Sequence, residues 1–329
     1  MDQIIEDLRS KSILITGASG LICSAFVDCL MYYNTQHKAS IKIYAVSRNE
    51  EYARKRFGAY WENPWFTFIG HDVIEPFSLD VPLDYIIHGA SNASPKRYAT
   101  DPVGTMKSNL WGVANLLELA KEKKARLLYI SSGEVYGEGD GSDFSEEYSG
   151  YVNCLNPRAC YPSSKRASET LCISYKEQYG VNVVIARPCH IYGSDIERDD
   201  RAFAQFLRRV KTGEDVIMKS EGRQVRSYCQ VEDCASALMY ILLRGTNGAA
   251  YNIANRESVI SIKELAELIA KIGEKKVVLD LSSEQESKGY SVVQRAVLDS
   301  SRLESLGWKP LVLLEDGLNR ILNSVISCK

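Results

Sequence analysis

Across 329 residues, 40 Lys and Arg nearly balance 42 Asp and Glu, giving a net charge of −2 with 45% hydrophobic and 25% charged residues. This ordinary globular composition offers no basis for a nucleic-acid or membrane partner, and no run of the chain approaches ~20 uninterrupted apolar residues. Met1-Asp2-Gln3 opens no signal peptide, and nine cysteines without C-x-x-C pairs, beside only four histidines, predict reduced thiols of a cytoplasmic protein rather than disulfides or a metal site.

The first predicted element is a short buried strand, 12–16. The glycine-rich turn Gly17-Ala18-Ser19-Gly20-Leu21-Ile22-Cys23 follows it, and then an apolar-periodic helix over about 24–33. Such a strand-turn-helix lets backbone approach a pyrophosphate, whose charge is favoured at the helix amino terminus. The spacing is G-x-x-G-x-x-C, not the G-x-G-x-x-G of ordinary dinucleotide folds, so Cys23 stands where a third glycine would give the closest packing. Further strands are expected at 41–46, 66–70, 84–88, 126–131 and 181–187, with helices at 103–124 and 162–179. Strands alternating with helices imply an α/β fold of Rossmann type, a doubly wound parallel sheet covered on both faces. Ligands in such sheets sit beyond the carboxyl ends of the strands. There the sequence places the 17–23 turn, Ser47-Arg48, Asp72-Val73, Gly89-Ala90-Ser91 and Ser131-Ser132-Gly133-Glu134.

After about residue 188 the pattern becomes shorter and more mixed, with helices expected near 199–212, 233–243, 262–272 and 314–326. The expected division is a dinucleotide-binding domain at 1–187 and a smaller substrate-binding lobe at 188–329, interleaved with the last elements of the sheet. Within Cys160-Tyr161-Pro162-Ser163-Ser164-Lys165, a tyrosine precedes a lysine by four residues where a helix begins. Residues at i and i+4 share a helix face. A phenol that normally titrates near pH ~10 becomes a usable proton acceptor when a fixed positive charge favours its ionised form.

The chain resembles the extended short-chain dehydrogenase/reductases that act on nucleotide sugars, over nearly its whole length, and within them is most similar to UDP-glucuronate decarboxylases. The residues that carry the resemblance are His71-Asp72-Val73-Ile74-Glu75-Pro76, Ala125-Arg126-Leu127-Leu128, Ser131-Ser132-Gly133-Glu134-Val135-Tyr136-Gly137 and Asn156-Pro157-Arg158-Ala159-Cys160-Tyr161. Lys165-Arg166-Ala167-Ser168-Glu169-Thr170-Leu171, Val225-Arg226-Ser227-Tyr228 and Leu306-Gly307-Trp308-Lys309-Pro310 continue it.

The resemblance implies an NAD site formed by Gly17, Ser19, Gly20, Leu21, Ile22, Arg48, Asp72, Val73, Ala90 and Lys165. Arg48 stands where NAD-preferring folds commonly place an acidic residue, and an arginine there suits a 2′-phosphate, so NADP stays open. Tyr161, Lys165, Ser132 and Glu134 would be catalytic, with Tyr161 taking the proton of the sugar 4-hydroxyl while hydride leaves C4. The nucleotide-sugar substrate would meet Ser91, Ser132, Glu134, Tyr161, His190, Arg226 and Arg295. Asn109 matches a helix asparagine that braces the active-site strand. Family members pair as homodimers through two helices, here those near 103–124 and 162–179.

A 4-ketone next to a C5 carboxylate makes a β-keto acid that loses CO2, which favours decarboxylation; 4-epimerisation, 4,6-dehydration and a catalytically silent NAD-binding role are the alternatives. The dehydratases place an aspartate where this chain has Gly133, which cannot donate a proton. Decarboxylases in turn carry Thr-Ser-Glu in place of Ser132-Gly133-Glu134, a proline pair absent from Gly89-Ala90-Ser91-Asn92-Ala93-Ser94-Pro95-Lys96, and an asparagine in place of His190. These departures leave the sugar and base of the substrate open.

Overall fold

The computed structural model describes residues 2–197, 199–281 and 293–323. Seven parallel strands form the main sheet: β1 (Ser12–Thr16), β2 (Lys42–Ser47), β3 (Phe66–Gly70), β4 (Tyr85–His88), β5 (Arg126–Ile130), β6 (Val183–Pro188) and, after three intervening strands, β10 (Ala250–Ile253). Their spatial order is β10-β6-β5-β4-β1-β2-β3, so the chain runs outward from β1 to β3, returns across the middle, and closes on the opposite edge. This is the doubly wound arrangement expected of alternating strands and helices. Side chains alternate between the two faces. Ile13 and Ile15 join one apolar cluster, whereas Leu14 joins another on the opposite face.

The first cluster lies under α1 (Asp2–Leu8), α2 (Leu21–His37), α3 (Glu50–Phe57) and α8 (Val231–Arg244); the second lies under α5 (Pro102–Lys123) and α6 (Cys160–Tyr179). Helix α2 starts directly after Gly20 and runs to His37, longer at both ends than the 24–33 pattern predicts. Its last turns are held by Asn34, which exchanges two hydrogen bonds with the backbone of Ile41. Helix α4 (Pro95–Thr100), short and polar, has no apolar periodicity to reveal it.

Past β6 the chain crosses in one residue, Cys189, to β7 (His190–Tyr192) of a second sheet. There β7, β11 (Val259–Ser261) and β13 (Arg295–Ala296) all pair with β9 (Val225–Gln230). β8 (Val216–Met218) and β12 (Val277–Leu279) form a separate two-stranded sheet. Helices α7 (Ala202–Lys211) and α9 (Ile262–Ile272), together with Leu314–Asn323, enclose a core of their own around Phe203, Leu207, Tyr228, Leu265 and Leu318. The expected helix at 314–326 is helical through Asn323, and 324–326 lie outside the described residues. Among the described residues, no helix is long and apolar enough to cross a membrane.

One buried ion pair ties the two helix-bearing halves of the α6 neighbourhood together. Arg187 on β6 donates to both carboxylate oxygens of Glu169 on α6, at 3.0 and 2.6 Å, and also reaches the Tyr136 hydroxyl and the Glu146 carbonyl. Removing one partner of a buried pair leaves an uncompensated charge. Arg187→Met is therefore expected to lower the unfolding free energy by about 3–5 kcal/mol, measured by urea titration. The Arg187→Met/Glu169→Leu double variant should lose less than Arg187→Met alone.

Candidate active site

The turn after β1 is built for close backbone approach. Gly17 has φ +65°, and a Cβ there would lie 2.7 Å from the Ala90 backbone in the turn after β4. Cys23 occupies the space left by another glycine: a Cβ on Gly89 would collide with its sulfur. The third glycine of the usual motif is thus absent from α2, and the missing side chain has moved to the facing turn. Gly20 caps α2 with extended backbone, no side chain among the described residues caps the helix, and no acidic residue stands in its first turn. The amides of Leu21 and Ile22, with Ser19 beside them, so present an anion-binding helix terminus.

Buried hydroxyls with no hydrogen-bond partner among the described residues stand at the carboxyl ends of three strands of the main sheet: Ser47 at the end of β2, Ser91 after β4 and Ser131 after β5. Arg48 lies 3.6 Å from Asp72, with its side chain largely exposed. Asp72 also accepts from the Ile74 amide, and Val73 is buried with its carbonyl bound by Asn115 at 2.9 Å. Unsatisfied donors and an uncapped helix terminus along one strand edge fit a dinucleotide.

Helix α6 brings Tyr161 and Lys165 into the interior, 6% and 2% exposed. Pro162 is tolerated because the first turn needs no amide from that position. The Lys165 ammonium donates to the Ile130 carbonyl at the end of β5, at 2.8 Å, and lies 4.8 Å from the Tyr129 ring and 5.7 Å from the Tyr161 ring. Burial pushes Lys165 down to about 7, against the pull of the Glu169 carboxylate. Tyr161 stacks on Tyr98 of α4 with ring centroids 4.6 Å apart.

Burial pushes the Tyr161 phenol up to about 12 and the Glu134 carboxylate adds to the rise, while hydrogen bonding to Ser132 and Tyr98 and the Arg201 guanidinium oppose it. Desolvation of the phenol dominates here, and the Lys165 ammonium donates to Ile130. Asn109 braces the site differently from expectation: its amide donates to Ser164 Oγ at 2.8 Å, holding the first turn of α6 rather than a strand.

Ser132 caps the turn that follows β5 by accepting from the Glu134 amide at 3.1 Å. Glu134 receives both terminal nitrogens of Arg158, at 3.0 and 3.1 Å, and that guanidinium lies 4.6 Å from the Tyr98 ring centroid. A Cβ at Gly133 would stand 3.1 Å from a Leu298 methyl, a tight contact that the leucine side chain would have to relieve by a few tenths of an ångström.

The remaining predicted residues are engaged elsewhere. His190, on β7, lies against the Tyr228 ring and is pushed down to about 3 by burial and then by Arg226 and Arg201. Arg226 is buried and spends its guanidinium on the carbonyls of Val225, Val293 and Gln294. Arg295 pairs with Asp143 at 2.6 Å. The structure thus gathers Tyr161, Lys165, Ser132 and Glu134, and ties Arg226 and Arg295 to protein groups. Tyr98 and Arg158 join the group without having been singled out: α4 left no periodic trace, and Arg158 was legible only as part of the motif around Tyr161.

Residues 13–254 match the family described as the NAD dependent epimerase/dehydratase family. Among curated proteins, the chain is 37% identical over 327 residues to UDP-glucuronic acid decarboxylase 1 of Xenopus tropicalis, covering 98% of this chain and 73% of that protein. It is 36% identical over 307 residues to UDP-glucuronic acid decarboxylase 6 of Arabidopsis thaliana, covering 93% and 86%. The fold matches that of DesIV, a dTDP-glucose 4,6-dehydratase from Streptomyces venezuelae solved with NAD and TYD bound, with a TM-score of 0.82 at 22% identity over 96% of this chain and 97% of the other. A UDP-glucuronic acid 4-epimerase from Bacillus cereus, in complex with UDP-glucuronic acid and NAD, gives 0.80 at 23% identity over 97% and 100%. At these identities the two structures speak for the fold alone.

The depressed Lys165 has a measurable consequence. The unfolded chain keeps this proton to about 10.5 while the folded chain releases it near 7, so between those values the unfolded state binds more protons. Stability from this group therefore rises with pH across that window. Lys165→Met is expected to remove up to about 1.4 kcal/mol per pH unit of that rise, read from urea titrations at pH values between the two.

Proposed function

Because the chain belongs to the NAD dependent epimerase/dehydratase family, we propose that it decarboxylates a UDP-glucuronate-like nucleotide sugar by transient oxidation at C4. The observation that carries this reading is the grouping of Tyr161, Lys165, Ser132 and Glu134 at one strand edge, in a chain whose curated relatives are UDP-glucuronic acid decarboxylases. Gly17, Ser19, Gly20, Leu21 and Ile22 would hold the NAD pyrophosphate, with Asp72 and Val73 toward the adenine, Arg48 and Ala90 beside the dinucleotide, and Lys165 at the nicotinamide end. NAD, when bound, supplies reversible hydride uptake and ends each turnover unchanged.

Tyr161 accepts the proton of the sugar 4-hydroxyl, whose oxygen Ser132 holds by a hydrogen bond. The 4-ketone so formed turns the C5 carboxylate into that of a β-keto acid; the C5–carboxyl bond breaks, its electron pair enters the enolate, and CO2 departs. Glu134 orients the sugar beside Tyr161 or carries the proton to C5, and Tyr161 then returns its proton to O4. Dehydration is disfavoured because position 133 offers no acid, and a Cβ there would press on a Leu298 methyl at 3.1 Å.

The first 187 residues would serve the dinucleotide and 188–329 the substrate, with Ser91, His190, Arg226 and Arg295 on the substrate side. Arg226 and Arg295 would have to exchange their present partners for the diphosphate or sugar. Val103, Met106 and Trp111 are exposed on α5, which packs closely against α6, and this apolar face supports a homodimer through the two helices. The eight described cysteines are free thiols, in keeping with a cytoplasmic protein.

Incubating the purified protein with UDP-glucuronate, with and without added NAD or NADP, tests the reaction. The expected product is lighter by one CO2 and retains its 4-hydroxyl, and Tyr161→Phe is expected to slow turnover by about 10²–10⁴-fold. An isomer of unchanged mass would identify an epimerase and sink the decarboxylase reading.

A further inference from the structure

Two acidic groups share the pocket around the 4-hydroxyl position. Tyr161 must ionise to act as a base, yet the Glu134 carboxylate opposes a second negative charge beside it. The structure holds a counterweight: Arg158, from the single-turn helix Pro157–Ala159 immediately before α6. Its two terminal nitrogens grip Glu134 in a fork, at 3.0 and 3.1 Å, and its flat face covers Tyr98 at 4.6 Å from the ring centroid. Tyr98 in turn stacks on Tyr161. Arg158 Nε is buried with no hydrogen-bond partner among the described residues. Tyr98, Cys160 and Tyr161 form a small apolar cluster apart from the main core.

We propose that Arg158 is a positioning residue for the proton transfer: by pairing with Glu134 and backing Tyr98, it lets a carboxylate and a phenolate occupy one pocket. The proposal rests on Tyr161 being the base. It assigns no contact between Arg158 and the substrate. A planar, permanently charged fork suits this role because it binds both carboxylate oxygens and stacks on a ring at once, which a lysine cannot do. The other charged or titratable groups facing Tyr161 are Lys165 on its own helix, Tyr98 on α4, Glu134 after β5 and Arg201 ahead of α7. Arg201 is itself paired with Asp199, and Lys165 is committed to Ile130. Arg226 also feels the Glu134 charge, but its guanidinium is spent on the carbonyls of Val225, Val293 and Gln294; Arg158 is the cation hydrogen-bonded to Glu134 among the described residues.

The test reads Tyr161 ionisation rather than turnover, so that it stands apart from the identity of the substrate. In NAD-bound protein carrying 13C-labelled tyrosine, the Tyr161 resonance is assigned by its loss in Tyr161→Phe and followed with pH. Arg158→Met is expected to raise the Tyr161 midpoint, read as a smaller ionised fraction at a fixed alkaline pH where the unaltered protein is partly ionised. Arg158→Lys, which keeps the charge, should move it less. Glu134→Gln alone should lower it, and adding Glu134→Gln to Arg158→Met should bring the midpoint back toward that of the unaltered protein.

A midpoint unmoved in Arg158→Met, or raised equally with and without Glu134, overturns the proposal. If Arg158→Met does not fold, Arg158→Lys and Glu134→Gln still decide, since the proposal requires opposite shifts from them. With a turned-over substrate, the acid limb of kcat/KM should follow the same order. Absence of turnover would count against the proposed reaction and leave the resonance test standing.

Discussion

The hydrogen bond from Lys165 to the Ile130 carbonyl is the fixed point of the site. It joins the first turns of α6 to the end of β5, and everything chemical hangs from that joint. Ser132 and Glu134 lie immediately beyond Ile130, and Tyr161 lies one helical turn before Lys165. A buried ammonium is costly unless it is satisfied. The cost appears as the lowered proton affinity of Lys165, and it is tolerated because the helix is held by other means. Ser164 binds Asn109 of α5, Ser168 donates to the Asn109 carbonyl, and Glu169 pairs with Arg187 of β6. The middle of α6 provides the anchorage for the first turns, which carry Tyr161 and Lys165.

Burial explains why the two ends of the chain differ in how legible they are. The parallel strands announce themselves as short apolar runs because both their faces are covered, as at Ile13-Leu14-Ile15 or Leu127-Leu128-Tyr129. The long helices α5 and α6 show their period for the same reason. In the second sheet β7, β11 and β13 are only two or three residues long, and the buried β9 carries the polar Arg226, Ser227 and Gln230, so neither signal is present. Helix α4 lies outside every pattern because a single residue, Tyr98, is its buried contact. The site was readable where it depends on residue type at fixed spacing, as with Tyr161, Lys165, Ser132 and Glu134. It was unreadable where it depends on which partner a long side chain takes. No spacing tells that Arg226 turns to the backbone at 293–294, or that Arg158 turns to Glu134.

The departures from the family pattern also acquire physical meaning. Cys23 in place of glycine requires room, and Gly89 provides it from the neighbouring turn; the two positions form one packing unit split across β1 and β4. Arg48 replaces the usual acidic residue after the second strand, but its guanidinium leans toward Asp72 rather than standing free. An arginine so engaged is less available to a 2′-phosphate than sequence position alone suggests.

Gly133 carries the sharpest consequence. Placing an acid there would require Leu298 to move, and Leu298 belongs to the cluster of Val135, Tyr136 and Phe144 beneath the turn. Tyr136 in turn binds Asn252 of β10 and accepts from Arg187 of β6. A change at position 133 would therefore press on the packing that connects the catalytic turn to the edge of the main sheet. The proposed reading against dehydration thus has a packing side as well as a chemical one. A single substitution restoring an acid at 133 would supply the proton donor while disturbing the turn that positions Ser132 and Glu134.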